Sequence, residues 1–334
     1  MNHLKRVLLT AAAIAALFIP RDAQVIKVGS IAPDRSPWND ALKEVARQWQ
    51  AISGGTVQLK IYPGSIAGNE EDMIRKMRGG LLGGAVLTNI GLNKIDPDVY
   101  VLSSPLLFDS EAELHYVLDR IKPAFEKQIN DKGFTIVIWT MSGWVNFFTK
   151  QPVLLPEDLK KNRISFSVGE PEMEQALKKM GYQVVPNDLK DLMMGLQSGM
   201  VDAFYLPPLL AGSGQYFAQA PHMCSLKVAP LLGGLVIVKR IWEKIPESQR
   251  LAMLKAVDTI SAKLDRETSQ LEKEAIASMV KHGLVIHNPS PESIPHWKET
   301  AARGMDELVG KAYSREIYEQ VYRLLNEFRQ KNAR

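Results

Sequence analysis

The chain has almost no cysteine: Cys224 stands alone in 334 residues. That excludes an internal disulfide and any metal site built on clustered thiolates, and leaves Cys224 to be read as a small buried hydrophobe. Histidine is nearly as scarce, with six residues at positions 3, 115, 222, 282, 287 and 296. His282 and His287 straddle Gly283 with no carboxylate pair nearby, and His115 sits between Glu113 and Asp119 on what reads as a solvated helix face. No metal site is expected. Absent too are a G-x-S-x-G elbow, an H-E-x-x-H pair and a phosphate loop. The Gly79-Gly80, Gly83-Gly84 and Gly233-Gly234 pairs lack the spacing of a dinucleotide turn. No set of groups with assignable roles emerges, so a binding protein is expected rather than an enzyme, with no cofactor. Strong charge is missing as well. The formal balance is +4, with bases interleaved among acids, which argues against a nucleic-acid partner.

What is present is ordinary globular material: 46% hydrophobic and 23% charged residues, in a length that suits two domains. Residues 1–23 have the layout of a secretory signal. Lys5 and Arg6 precede an apolar run from Val7 to Ile19, Pro20 ends it, and cleavage is expected near Ala23. Removing that segment lowers the balance to about +2. Arg21 suits a cleavage site poorly, which keeps a retained N-terminal anchor as the other reading, and no cysteine follows for a lipid. No later stretch is long and apolar enough to cross a membrane.

Strands and helices then alternate. Val25–Val28 reads as a strand, Trp38 to Ser53 as a helix with Ala41, Val45, Trp49 and Ile52 at helical spacing, and Thr56–Tyr62 as a strand. A helix over Glu70–Arg78 leads to a buried strand, Gly83–Asn89, whose polar end offers Thr88 and Asn89 as cleft residues; a turn satisfying its own backbone is the competing reading. The helix from Ser110 to Asp131 should kink or break at Pro123. Phe134–Trp139 reads as a strand buried on both faces, followed by an aromatic segment, Met141–Phe148. Leu251–Lys281 fits one long helix, with Ala256, Ile260, Leu264, Leu271 and Ile276 along its apolar stripe.

The most organised stretch is 156–209. It reads as strand Arg163–Val168, loop Gly169-Glu-Pro171, helix Glu172–Met180, strand Gln183–Val185, helix Leu189–Ser198 and strand Val201–Leu206. Glycine follows each helix, and the alternation implies a parallel sheet. Ligands of such sheets sit outside the carboxyl ends of the strands, which singles out Ser165–Ser167 and Phe204–Leu206.

Pro156-Glu-Asp-Leu-Lys160, Met180-Gly-Tyr-Gln-Val-Val-Pro186 and Leu196-Gln-Ser-Gly-Met-Val-Asp-Ala203 carry a resemblance. Together with Gly54–Ser65, Leu102–Phe108 and Lys239–Pro246, they resemble the P-type substrate-binding proteins of TRAP (tripartite ATP-independent periplasmic) transporters, the DctP family. The resemblance implies an α/β, two-domain, periplasmic-binding-protein-like fold, each domain a mainly parallel sheet flanked by helices, with a long C-terminal helix spanning both. It divides the chain into 24–145 plus 230–265, and 146–229 plus 266–334. It implies an exported, periplasmic solute receptor that works with the small and large TRAP membrane subunits. For the variant with an apolar cleft, a periplasmic tetratricopeptide-repeat protein is a further expected partner.

In the family, an Arg in the strand after P-E-D-L-K clamps a ligand carboxylate with paired hydrogen bonds. That position aligns with Ser165, a second family Arg with Val145, and a family Asn with Leu206. A carboxylate buried without a guanidinium is costly, so a hydrophobic or amphipathic ligand, lipid or fatty-acid-like, is the expected solute. The expected lining is Trp38, Leu106, Phe108, Trp144, Val145, Phe166, Phe204, Tyr205 and Leu206, with Thr88, Asn89 and Ser165 as polar handles. Two alternatives stay open: an organic-acid receptor anchored by a non-standard group such as Arg163 (or Arg35), and an interaction protein that keeps the fold without a ligand.

Overall fold

A computed structural model describes residues 23–332 of the chain. The expected signal and its anchor alternative therefore lie, but for Ala23, outside the described residues.

Helices begin where the sequence supplies an acceptor for their free N–H groups. β1 (Gln24–Ser30) leads to α1 (Pro37–Ile52), where Ser36 caps the Asn39 N–H and Leu42, Val45 and Trp49 form the buried face. β2 (Val57–Tyr62) is followed by α2 (Glu70–Arg78), capped by Asn69, and by β3 (Gly84–Thr88). Thr88 in turn caps α3 (Asn89–Ile95), and a 3-10 segment, Pro97–Ser103, follows. Of the expected kink or break at Pro123, the break does not occur, and α4 (Glu111–Asp131) runs on through it. Leu118, Ile121, Phe125 and Ile129 flank that proline and are all buried, and their burial outweighs the roughly 3 kcal/mol that an interior proline costs.

β4 (Phe134–Thr149) merges what the sequence divides into a buried strand and an aromatic segment; half-exposed Ile138 and Trp139 also correct the expectation of burial on both faces. After it come α5 (Pro156–Leu159), β5 (Arg163–Phe166), α6 (Pro171–Lys179) and β6 (Gln183–Pro186). The expected helix over Leu189–Ser198 is a 3-10 turn, Leu189–Asp191, and then α7 (Leu192–Ser198), which ends at Gly199 with φ +72°. β7 (Ala203–Leu206), α8 (Pro208–Ser213), β8 (His222–Cys224), β9 (Ala229–Val238) and α9 (Lys239–Trp242) lead to α10 (Glu247–Lys281). β10 (Val285–His287), α11 (Ile294–Asp306) and α12 (Arg315–Asn332) complete the described chain.

The strands order as β2-β1-β3-β9-β4-β7-β5-β6, with β8 joining β4 to β10. β1, β2 and β3 are parallel to one another, as are β5, β6 and β7. β9 and β4 run antiparallel to their neighbours and stitch the halves together: β4 pairs with β9 over Phe134–Val145, then with β7 over Asn146–Thr149. Mid-β9, a Cβ at Gly234 would lie 2.4 Å from the Ile138 carbonyl oxygen, so only glycine lets β4 approach there. α10 has 35 residues and a length of about 50 Å. It packs on α1 in one half, on β4, and on α8 in the other. Its deepest residues include Met253, Val257 and Leu264, while the expected Ala256, Ile260, Leu271 and Ile276 are half-buried.

Candidate ligand-binding cavity

Strand pleating decides which residues of the second half meet the cavity. Successive side chains point to opposite faces, so β5 turns Ile164 and Phe166 one way and Ser165 the other. β7 does the same with Tyr205 against Phe204 and Leu206, and β4 with Val145 and Phe147 against Trp144 and Phe148. Ile164, Phe166, Tyr205, Val145 and Phe147 line one cavity of about 150 Å³. α6 and α11 close its deep end with Met173, Leu177, Met180, Trp297 and Met305. Gly304 sits among them, and a Cβ there would come within 2.8 Å of Met180 Sδ, so this end is tightly packed. Trp297 is fixed by donating its indole N–H to the Leu154 carbonyl oxygen at 2.9 Å.

The other end is formed by the first half. Leu106 reaches in from a left-handed backbone (φ +55°), a conformation costing about 1–2 kcal/mol, and is held there by its N–H bond to the Val228 carbonyl at 2.6 Å. Asn89, Tyr100 and Ser103 line this end, and Glu170, the residue before α6, meets them from the second half. The Tyr100 hydroxyl donates to Glu170 Oε1 at 2.5 Å. Burial pushes the Glu170 carboxyl up to about 7, with neighbouring Glu70 adding to the rise and Lys94 and Tyr100 opposing it. The Tyr100 and Tyr205 hydroxyls are held well above the ordinary tyrosine range, first by burial and then by the Glu170 charge.

Glu70 lies behind this end. It accepts from Thr88 Oγ1 at 2.7 Å and from the Thr88 N–H at 3.1 Å, and burial pushes it, too, up to about 7. Thr88 is thereby used twice, as the cap of α3 and as the donor to Glu70, and it does not line the cavity. This is the reading of Thr88 as a turn residue satisfying local groups; Asn89, by contrast, faces the cavity with its Oδ1 buried and unpartnered among the described residues.

Of the other expected lining residues, Phe108 and Trp144 are core, and Trp38 lies outside this cavity. Ser165 is buried on the opposite face, its Oγ accepting from Asn187 Nδ2 at 3.2 Å. Phe204 stacks on Phe148 with ring centres 4.9 Å apart, in a separate cluster that Leu206 also joins. The corrections at Trp144, Ser165, Phe204 and Leu206 share one cause: nearness to a strand end does not say which of the two faces a side chain takes. Arg163 is corrected for a different reason. It stands at the amino end of β5, its side chain 46% exposed, and donates Nε and Nη2 to Asp202 at 2.7 and 2.9 Å. It does not line the cavity, and neither does any Lys, Arg or His among the described residues. Arg35 is exposed as well.

Sequence reasoning missed Tyr100, Ser103 and Glu170. Glu170 carried one available signal: a carboxylate in the loop handing β5 over to α6, at the carboxyl end of a strand. Tyr100 and Ser103 lie in the 3-10 segment, which has no pattern to set it apart from an ordinary turn.

Known proteins fit this architecture. Residues 28–312 match the DctP family, described as bacterial extracellular solute-binding protein, family 7. A solute-binding protein of Chromohalobacter salexigens is 26% identical over 233 residues, covering 69% of this chain and 68% of its own length. The 2,3-diketo-L-gulonate-binding periplasmic protein of Escherichia coli is 25% identical, covering 58% of this chain and 60% of its own. A crystal structure of a TRAP periplasmic solute-binding protein from Chromohalobacter salexigens, with bound D-glucuronate, superposes with a TM-score of 0.83 at 20% identity, over 90% of this chain and 99% of that one. The chain belongs to the DctP family of TRAP solute-binding proteins, which are periplasmic receptors and not enzymes.

Proposed function

We propose that this receptor captures an amphipathic small molecule with an apolar body, lipid or fatty-acid-like in build, and presents it to the small and large TRAP membrane subunits. One observation carries the reading: among the described residues no cationic side chain lines the cavity, and its one ionisable carboxyl, Glu170, has the wrong sign for an acid. The narrowness of the space also suits an alkyl chain better than a sugar ring. At about 150 Å³ it lies below the roughly 300–1,000 Å³ of common ligand sites, so a ligand enters by parting the two halves about β4 and β9. Export through residues 1–23 and the division into two discontinuous domains at 145/146, 229/230 and 265/266 belong to the same proposal. The apolar cavity also keeps a tetratricopeptide-repeat protein as a candidate partner. Among the described residues, no helix is long and apolar enough to cross a membrane.

The second reading, an organic-acid receptor, is favoured by the comparisons: the relatives' ligands are 2,3-diketo-L-gulonate and D-glucuronate. With Arg163 paired to Asp202, the cation whose charge acts on Glu170 at the polar end is Lys94, on α3. Native mass spectrometry of the protein purified from its own periplasm, followed by solvent extraction, separates the two. The expected result is an extractable amphipathic species, with D-glucuronate leaving the melting temperature unchanged. A ligand-free protein stabilised by D-glucuronate would establish the second reading in place of the first.

A further inference from the structure

We propose that the polar end of the cavity selects for a head group that donates hydrogen bonds, an alcohol or a primary amine, and discriminates against carboxylates, with Glu170 as the specificity-determining residue. The inference rests on the amphipathic reading above and names the chemistry of the ligand's polar end.

Glu170 is 6% exposed, and its Oε1 is engaged by Tyr100, while Oε2 has no hydrogen-bond partner among the described residues. Asn89 is 7% exposed and its amide makes no hydrogen bond among the described residues, with Oδ1 wholly buried. Ser103 Oγ is likewise buried and unpartnered. These groups share one end of the cavity: the loop carrying Gly169 rests on α3, where a Cβ at Gly169 would lie 3.9 Å from Ile90 and 3.7 Å from the Lys94 side chain. Leaving a buried acceptor empty is costly, and a ligand that fills it recovers that cost, which is how polar sites gain specificity. Glu170 Oε2 and Asn89 Oδ1 are acceptors; the Tyr100 proton is already engaged, leaving the Ser103 hydroxyl and the Asn89 amide as donors. An ammonium head carries donors enough for both acceptors, while a hydroxyl donates to one of them and can accept from Ser103 or the Asn89 amide. A carboxylate would face Glu170 directly, with Glu70 next behind it and Lys94 as the one opposing charge nearby.

The test uses the full mature protein stripped of lipid, and four probes: 1-octanol, octylamine, octanoate and D-glucuronate. Isothermal titration is run at pH 8.5, above the Glu170 carboxyl's about 7, where octylamine is still an ammonium ion. Octanol and octylamine are expected to bind at least about tenfold tighter than octanoate. Glu170→Gln keeps the shape and a partner for Tyr100; it should bring the affinity for octylamine down to that for octanol. Asn89→Leu should weaken octanol about fivefold or more, and checks the site independently if the first variant misfolds. Octanoate binding as tightly as octylamine, or an octanoate affinity that disappears in Lys94→Gln, overturns the head-group assignment while the apolar cavity stands. If no octyl probe binds and D-glucuronate does, the amphipathic reading fails, and this inference with it.

Discussion

Phe204 and Tyr205 are adjacent and similarly bulky, the first fully buried and the second partly so, yet they belong to different parts of the molecule. Phe204 lies against Phe148 in a core cluster with Leu192, Leu196 and Met223, whereas Tyr205 turns to the cavity beside Phe166 and Phe147. The difference is one step along a strand, and it separates structural side chains from binding ones along β4, β5 and β7 alike. Ser165 and Leu206 fall on the structural side although the family resemblance aligns them with ligand anchors, whereas Val145, the third such position, lines the cavity. The polar side chains that do line the cavity, Asn89, Tyr100, Ser103 and Glu170, stand at none of those positions.

Breaking the structural side should give the largest effect. Phe204→Ala removes a ring that is 1% exposed and stacked, so a loss of about 3–5 kcal/mol in unfolding free energy is expected, while any folded fraction retains its ligand. Tyr205→Leu should cost far less stability but reduce ligand occupancy severalfold. Urea denaturation and the extractable ligand per folded molecule report the two quantities. If both variants changed the same quantity, the two faces would not be functionally distinct.

A second contrast, between Glu70 and Glu170, predicts a smaller effect. Both carboxyls sit near 7 in the folded protein against an ordinary 4.5, but Glu70 is saturated by Thr88 while Glu170 keeps one oxygen open to the cavity. An acid whose folded value is raised keeps its proton longer in the folded state than in the unfolded one. The sign follows: stability is fullest below about pH 4.5 and falls as pH rises through about 7, by about 3 kcal/mol for a single such group. Urea midpoints of the ligand-free protein should decline from pH 5 to pH 8, and Glu70→Gln should flatten that decline. Ligand with a donor head should flatten it by acting on Glu170 alone. An equal slope in wild type and Glu70→Gln would falsify the assignment of the proton to this pair.

The scaffold was legible because it rests on local rules. Ser36, Asn69 and Ser110 announce their helices, Gly199 ends one in a left-handed turn, and the motifs of 156–209 carry the family in their spacing, whereas the short helix after Thr88 went unread. Of the expected lining residues, Asn89, Leu106, Val145, Phe166 and Tyr205 line the cavity, and the others do not. Facing is set by register against neighbouring strands, and the pairing of β4 with both β9 and β7 includes shifts between Ile136 and Ile138 and between Met141 and Trp144. No local pattern encodes those. The Tyr100–Glu170 contact spans 70 positions and joins two halves of the molecule, so neither residue is marked by its own surroundings in sequence.

The smallest expected effect concerns the guanidinium of Arg163, on β5. Arg163 and Asp202 form a two-pronged pair at the surface, and exposed pairs of this kind contribute about 0.2–1 kcal/mol. The Asp202 carboxyl is held below the usual range chiefly by that hydrogen bond, so the pair persists at neutral pH and leaves Arg163 unavailable to a ligand. Arg163→Ala should therefore lower stability by no more than about 1 kcal/mol and leave ligand occupancy as it was. The same substitution made in Asp202→Ala, where no carboxylate holds the guanidinium, should be equally silent toward ligand, because the side chain points away from the cavity rather than being merely restrained from it. Loss of bound ligand in either background would show that β5 delivers a cation to the site after all, and would return the organic-acid reading to first place.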